Sequence, residues 1–261
     1  MAARRTPAGR RAALLAAAVL TAGCASTHPH DPLEPFNRKV YAFNDAVDRA
    51  VLKPVAQTYR DVVPRPVRTG VTNFFSNLGD AWSAVNSFLQ LKIEPGLRNT
   101  LRFGFNTFFG FAGVLDIATE AGIERHQEDF GQTLGHWGVG PGPYVVLPLL
   151  GPSTLRDTVA LPVDLSASPA ALVNDREAAI GVTALQVVER RASLLDASRL
   201  LDDVALDPYL FMRDAYLQRR RNQVYDGNPP PEEGEEDDYE YEEDEGVGGA
   251  AAPAAPPSAP R

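Results

Sequence analysis

The sequence predicts an all-α protein of short and medium helices. Apolar residues recur at intervals of three and four along most segments between residues 31 and 225, which is the period of an amphipathic helix. Proline and glycine divide these segments into separate pieces. No segment combines the alternating apolar pattern with the hairpin turns of a sheet protein, and only Val145–Pro148 is expected to be a short extended piece.

The two ends differ in composition from the middle, so the chain divides into four parts. Residues 1–23 are predicted to be a signal peptide, 24–30 a tether, 31–225 the helical domain and 226–261 a disordered acidic and Ala/Pro-rich tail. Eleven of the 34 acidic residues lie between Glu232 and Glu245, so the net charge of -9 comes mainly from the tail. The nearly neutral middle lacks the clustered basic residues of a nucleic-acid-binding surface.

Cys24 follows a segment that has the order of an export signal. Four arginines precede the apolar stretch 12–20, which is shorter than the roughly 20 residues that span a bilayer, and small residues occupy 21–23. The arrangement resembles a bacterial lipobox, in which the cysteine becomes the lipidated first residue, although Thr21 stands where leucine is preferred. Ala25 resembles the sorting residue of outer-membrane lipoproteins. The alternative is an ordinary signal peptide with an incidental cysteine.

Helix starts and apolar faces indicate the order of the helices. Asp31, Pro32 and Glu34 are typical of a helix start, and Ser153, Asn174 and Asp207 are predicted to cap later helices. Two apolar faces precede residue 92. The first comprises Phe36, Val40, Phe43, Val47 and Val51, and the second comprises Phe74, Phe75, Leu78, Trp82, Val85, Phe88 and Leu89.

A phenylalanine-rich helix is predicted between Gly96 and Ala118. Arg98, Arg102 and Asn106 stand four residues apart and form one narrow polar line on a helix that is otherwise apolar. Periodicity favours a central core helix. The alternative is a helix with one side in hydrocarbon and its polar line facing an internal water-filled space.

The sequence offers little catalytic or metal-binding chemistry. It lacks cysteine pairs, HExxH, a Walker loop and GxGxxG, so we expect no metal or cofactor and no enzyme activity. His136 is the one candidate base, with Ser153 or Thr154 as nucleophile and Asp157 to orient the imidazole. The GxSxG elbow of a hydrolase is missing, and a structural histidine beside Trp137 is the favoured interpretation.

Four motifs in order closely resemble the MlaA (VacJ) lipoprotein family. They are DPLEPFNRKVYAFND (31–45), RDVVPRPVRTGVTNFFSNL (60–78), FGQTLGHWGVGPGPYVVLPLLGPSTLRD (130–157) and DPYLFMRDAYLQRR (207–220). The resemblance implies a ring-like arrangement of amphipathic helices around a central channel, in the inner leaflet of the bacterial outer membrane. It also implies removal of mislocalised phospholipid from the outer leaflet, which maintains lipid asymmetry. The implied partners are a trimeric porin, a soluble periplasmic lipid carrier and, downstream, an inner-membrane ABC transporter.

The same resemblance suggests which residues lie along the lipid path. Segment 130–157 is expected to form a rigid wall between bilayer and channel, since irregular backbone in a bilayer must be satisfied by protein or by a wet cavity. A buried loop in a soluble domain is the alternative. The lipid-path candidates are Phe43, Asn44, Arg98, Arg102, Asn106, Gly131, Gly135, His136, Trp137, Gly140 and Tyr144. Two other functions stay open, namely a structural lipoprotein that only bridges porin and periplasmic partners, and a lipid hydrolase using His136.

The lipobox interpretation predicts that Cys24→Ala releases the protein from the membrane fraction into the soluble fraction. Acyl chains contribute roughly 0.8 kcal/mol per buried methylene, so losing them removes the anchor. Cell fractionation and blotting measure the change. Unchanged membrane retention would contradict anchoring through Cys24.

Overall fold

The computed structural model describes residues 30–231, and the residues through Gly227 belong to one compact unit. The predicted signal peptide, Cys24 and the tail from residue 232 onward lie outside the described residues. The helices are α1 (Glu34–Val47), α2 (Lys53–Val62), α3 (Arg65–Leu89), α4 (Ile93–Phe108), α5 (Ile117–Glu120), α6 (Phe130–His136), α7 (Leu155–Ser166), α8 (Arg176–Ser193), α9 (Leu195–Val204) and α10 (Pro208–Val224). A π-helical turn, Asp48–Leu52, joins α1 to α2, and a 3-10 turn, Pro169–Leu172, follows α7.

A two-stranded hairpin is the sheet structure of the described region. β1 (Tyr144–Leu147) pairs antiparallel with β2 (Gly151–Thr154), so the predicted extended piece at 145–148 is confirmed with slightly different bounds. Two asparagines of α1, seven residues apart and therefore on one helix face, form hydrogen bonds with the backbone of β1 and of the turn that follows it. Their side-chain bonds are Asn37 Nδ2 to Tyr144 O (3.0 Å), Val146 N to Asn37 Oδ1 (2.9 Å), Asn44 Nδ2 to Leu147 O (2.9 Å) and Leu149 N to Asn44 Oδ1 (2.8 Å).

The start of α1 differs from the prediction. The N-cap residue is Leu33 and the helix has no side-chain cap, because the Asp31 carboxylate is buried and turned inward. Asp31 accepts hydrogen bonds from Asn37 Nδ2 at 2.8 Å and from the Tyr209 hydroxyl at 2.5 Å. A buried carboxylate must be satisfied, and these two donors connect α1 to α10.

Later helix caps are close to their predicted positions. Asp207 caps α10 as predicted, since Oδ1 accepts from the amides two and three residues on. The caps of α7 and α8 are Thr154 and Asp175, each one residue after the predicted Ser153 and Asn174. Ser153 lies in β2, and its hydroxyl bonds the Thr158 hydroxyl instead of a backbone amide at the helix start.

Polar residues occupy the buried side of α3. The predicted apolar stripe lies mostly on the accessible side, where Phe74, Val85, Phe88 and Leu89 are exposed. The buried side chains include Asn77, Asp80, Ser83, Asn86 and Ser87. This distribution is the reverse of a water-soluble helix, which buries its apolar stripe.

The helix α4 ends earlier than predicted, at Phe108. Gly110 closes the turn, because a Cβ there would lie 2.2 Å from the carbonyl oxygen of Leu115. Gly113 adopts a φ of +90°, a conformation that favours glycine, and packs against Asn77. Phe109–Leu115 is therefore a tight turn after the helix rather than its continuation.

Among residues 30–231, no helix combines the length and apolar character that crossing a bilayer requires.

The reversed burial predicts how two substitutions change the free energy of unfolding. Replacing an exposed apolar side chain by a polar one should reduce stability less than replacing a buried polar side chain by an apolar one. Asn106→Ala removes an amide that donates to Asp116 Oδ1 (3.0 Å) and accepts from Ala118 N (2.8 Å), so we expect a loss of about 1–3 kcal/mol. Phe108→Ser, at a side chain 84% exposed, should change the free energy of unfolding by less than about 0.5 kcal/mol. Thermal unfolding in nonionic detergent measures both, and the opposite ranking would contradict the reversed packing.

Candidate functional site

The polar line of α4 is directed into the protein. Arg102 is 1% exposed and donates to Asp116 Oδ1 at 2.9 Å, to Asp80 Oδ2 at 3.2 Å and to the Ile123 carbonyl. Arg125 pairs with the other oxygen of Asp80 at 2.8 Å. The charges of two arginines thus neutralise those of two carboxylates in the space between α3, α4 and α5.

The carboxylates of this network differ in their pKa values. Burial raises the pKa of Asp116, but hydrogen bonds from Thr119 and Asn106 and the charge of Arg102 outweigh it and lower the pKa to about 2. Burial raises the pKa of Asp80 above its ordinary value despite Arg125 and Arg102. Asp116 is therefore firmly ionised, whereas Asp80 depends on its two arginines.

The candidate polar residues of α4 do not share one environment. Asn106 lies beside Arg102 in the buried network, bonded to Asp116 and to the Ala118 amide. Arg98 lies at the surface, paired with Glu94 at 2.7 Å and Glu124 at 3.3 Å. The structure brings Arg102 and Asn106 together and leaves Arg98 apart.

The opposite side of α4 and the turn after it form a continuous apolar surface. Phe108 is 84% exposed and Phe111 77% exposed, and the rings of Phe105 and Phe109 lie 5.6 Å apart. The core interpretation of this helix, which periodicity favoured, is wrong because these side chains are outside. The exposed members of this surface are Leu97, Leu101, Phe105, Phe108, Phe109, Phe111, Val114 and Leu115. An exposed apolar patch of this kind marks contact with a membrane or a protein.

The 130–157 segment is fixed by a second buried ion network. Arg220 of α10 donates to Asp129 Oδ2 at 2.7 Å and to Asp157 Oδ1 at 2.9 Å, and the Tyr216 hydroxyl donates to Asp157 Oδ2 at 2.8 Å. Burial raises the pKa values of both aspartates. The hydrogen bonds and charge of Arg220 have the opposite effect, and the pKa of each aspartate is below its ordinary value. The pKa of Arg220 is raised by these carboxylates against its burial.

Two candidate glycines make room for this network. A Cβ on Gly131 would lie 2.5 Å from Asp157 Oδ1, and one on Gly135 would lie 2.7 Å from Arg156 Nη1. At Gly140 a Cβ would meet open space. Gly131 and Gly135 therefore serve packing, whereas Gly140 borders an accessible region.

The aromatic candidates of this segment have different surroundings. The Trp137 ring is half exposed and its Nε1 donates to Leu89 O at 3.1 Å. Tyr144 is fully buried among Tyr209 and Tyr216, and burial raises its pKa. Of these two lipid-path candidates, Trp137 is accessible at the surface, whereas Tyr144 belongs to the core.

At the α1 end, Phe43 is half exposed. Its neighbour Asn44 holds the hairpin turn at Leu147 and Leu149. The two candidates therefore face different surroundings, one apolar and accessible, the other hydrogen-bonded.

The side chains that the hydrolase interpretation requires do not form a catalytic arrangement, because each has different surroundings. His136 is exposed, Ser153 Oγ lies 3.0 Å from Thr158 Oγ1, and Asp157 is bound by Arg220 and Tyr216. No hydrogen bond among the described residues joins His136 to either partner. Within residues 30–231 no group of His, Cys, Asp and Glu could hold a metal ion.

Comparison with known proteins identifies the family. The sequence model of the MlaA lipoprotein family matches residues 29–223. The chain belongs to the MlaA lipoprotein family. The intermembrane phospholipid transport system lipoprotein MlaA of Escherichia coli (strain K12) is 40% identical over 219 residues, covering 80% of this chain and 86% of that protein. The Haemophilus influenzae MlaA is 35% identical over 234 residues, covering 82% and 90%.

A solved structure described as the basis for maintenance of bacterial outer membrane lipid asymmetry has the same fold. It aligns with a TM-score of 0.65 and 40% identity, covering 76% of this chain and 99% of that one. The family and fold class predicted from sequence are thereby confirmed.

Sequence reasoning missed the partners of the buried arginines in this MlaA family member. The sequence did not distinguish three aspartates from ordinary polar residues, because their arginine partners lie 14 to 91 positions away. These are Asp80, Asp116 and Asp129. Asp80 carried one usable signal, since it is an acidic residue inside a helix that is otherwise apolar or uncharged for many residues.

The Arg220 network predicts acid-sensitive stability. An aspartate whose pKa is lower in the folded than in the unfolded state stabilises the fold above about pH 4, and this stabilisation is lost as pH falls through the folded-state pKa. Arg220→Met leaves the buried Asp157 carboxylate without its cation, so it should lower the free energy of unfolding by about 3–5 kcal/mol at pH 7. The exposed neighbour variant Arg219→Met should cost less than about 0.5 kcal/mol.

Thermal unfolding from pH 7 down to pH 3 measures both effects. The wild type and Arg219→Met should lose stability on acidification, and Arg220→Met should lose less. Equal stability of the two variants at pH 7 would refute the role of the network.

Proposed function

We propose that this protein is an outer-membrane lipoprotein that removes mislocalised phospholipid from the outer leaflet through an amphipathic channel. The observation that carries the proposal is the reversed packing of α3 and α4. Charged and amide side chains are buried between the helices, while phenylalanine and leucine side chains face outward. In water such a surface costs about 25 cal/mol per Å² of exposed apolar area. Acyl chains remove that cost.

The protein lies on the periplasmic side of the membrane, in the inner leaflet, anchored through lipidated Cys24. Its helices form a ring whose outer side meets hydrocarbon and whose lumen admits a polar headgroup. In this position the outward apolar side of α4 contacts the acyl chains of a single leaflet, which is about half of the roughly 30 Å hydrocarbon core. The half-exposed Trp137 suits the headgroup level.

Phospholipid leaving the channel passes to a soluble periplasmic carrier and onward to an inner-membrane ABC transporter, and a trimeric porin holds the protein in the outer membrane. The Escherichia coli relative is named as part of an intermembrane phospholipid transport system, which supports a carrier-linked role for this chain. The lipid moves without covalent change, so the function requires no catalytic residue.

Cells that lack the gene should accumulate phospholipid on their outer face and become sensitive to detergent. A wild-type copy should restore resistance. Gly140→Trp adds bulk to the accessible part of the 130–157 segment, at a position where an added Cβ meets open space, and should restore resistance poorly because the ring obstructs the path. Detergent survival and labelling of surface phospholipid measure the outcome.

Gly181→Trp is the matched control, since a Cβ there also meets open space, and it should restore resistance fully. Full restoration by Gly140→Trp would favour the alternative in which the protein only bridges porin and periplasmic partners. His136→Ala should behave as wild type. Its failure, together with lipid cleavage by the purified wild-type protein, would favour the hydrolase alternative.

A further inference from the structure

A small pocket of about 230 Å³ lies where α2, α3 and α8 meet, away from the 130–157 segment. Its lining is rich in hydroxyl groups and contains two arginines and one carboxylate. The lining residues are Tyr59, Arg65, Arg68, Thr69, Thr72, Glu189, Ala192 and Ser193. The pocket is smaller than the roughly 300–1,000 Å³ that enclose whole drug-sized ligands, so it fits a headgroup fragment.

The Tyr59 hydroxyl is the first sign that the pocket accepts a ligand. This oxygen is buried and has no hydrogen-bond partner among the described residues. Buried polar atoms are nearly always satisfied, so an unpartnered hydroxyl on a pocket wall indicates a missing acceptor or donor. Burial raises the pKa of Tyr59, which keeps the phenol protonated and able to donate.

The arginines give the pocket its charge preference. The Arg65 side chain is exposed and has no hydrogen bond or ion pair with another side chain among residues 30–231. Arg68 uses Nε to bond the Val63 carbonyl at 3.1 Å, which leaves its terminal nitrogens available. Glu189 is the opposing charge and accepts from Thr72 Oγ1 at 2.6 Å. Two cations against one carboxylate favour an anion.

Exposed valines precede each of the two pocket arginines in the sequence. Val62 at the end of α2 is 73% exposed, and Val67 in the first turn of α3 is 54% exposed. Inorganic phosphate gains nothing from exposed apolar side chains, whereas a phospholipid can pair its phosphate with the arginines while its acyl chains cover such side chains. Basic pockets beside apolar helix surfaces bind lipid headgroups in this way.

We propose that this pocket binds the phosphate group of a phospholipid, with Arg65 and Arg68 pairing with its charge and the Tyr59 hydroxyl donating a hydrogen bond. The inference rests on the proposed function in placing the protein within a leaflet. The site is separate from the lipid path at Gly140 and fixes the α2–α3 corner at headgroup level.

Binding of dihexanoylphosphatidylglycerol to the full-length protein in nonionic detergent tests the site. Tyr59→Phe and Arg65→Gln should each weaken binding about tenfold, because each removes one donor to a charged oxygen. Both variants leave the fold intact, since neither group has a partner within the described chain. Arg176→Gln, at an exposed arginine at the opposite end of α8, is the matched control and should bind as wild type.

Inorganic phosphate and dihexanoylglycerol are the comparison probes, and both should bind at least tenfold more weakly than the phospholipid. Equal affinity of wild type and both pocket variants for the phospholipid would refute the site. Inorganic phosphate binding as tightly as the phospholipid would refute its assignment to lipid. The assay measures no transport, so its failure would leave the Gly140→Trp result standing, and the reverse also holds.

Discussion

The ion pairs of Arg102 with Asp80 and Asp116 determine which way α3 and α4 face. An uncompensated buried charge costs several kcal/mol, so α4 keeps the orientation that joins Arg102 to both carboxylates. A helix of 3.6 residues per turn cannot direct two opposite faces into one core. Burying the polar line therefore turns Leu101 and Phe105 outward, and the surrounding phase must accept them.

The second network performs the same task for the carboxyl-terminal helix. Arg220 connects α10 to Asp129 and Asp157, so the start of α6 and the first turn of α7 share one cation. Gly131 and Gly135 allow the helices to come close enough for these bonds. These ion pairs connect α6 and α7 to α10, beside the apolar cluster that Tyr144 and Val146 of the hairpin form with Tyr209.

Periodicity in the sequence predicted the helical class, and residues 30–231 contain one two-stranded hairpin beside the helices. The Asp-Pro pattern of a helix start predicted the Asp207 cap, and the extended piece at 145–148 was also predicted. Periodicity could not assign the inner side of α4, because an apolar face looks the same whether it meets protein or lipid. The cap at Asp31 failed for a related reason, since Tyr209 competes for its carboxylate from 178 residues away.

The sequence by itself determined the helical class, the family and the candidate lipid anchor, because these depend on local spacing and on motifs that are continuous in the chain. Only the tertiary structure decided that Arg102 and Asn106 are buried, that Tyr144 lies in the core and that Tyr59, Arg65 and Arg68 line one pocket. Those facts depend on contacts between distant segments, and the free energy of such contacts is absent from any single stretch of sequence.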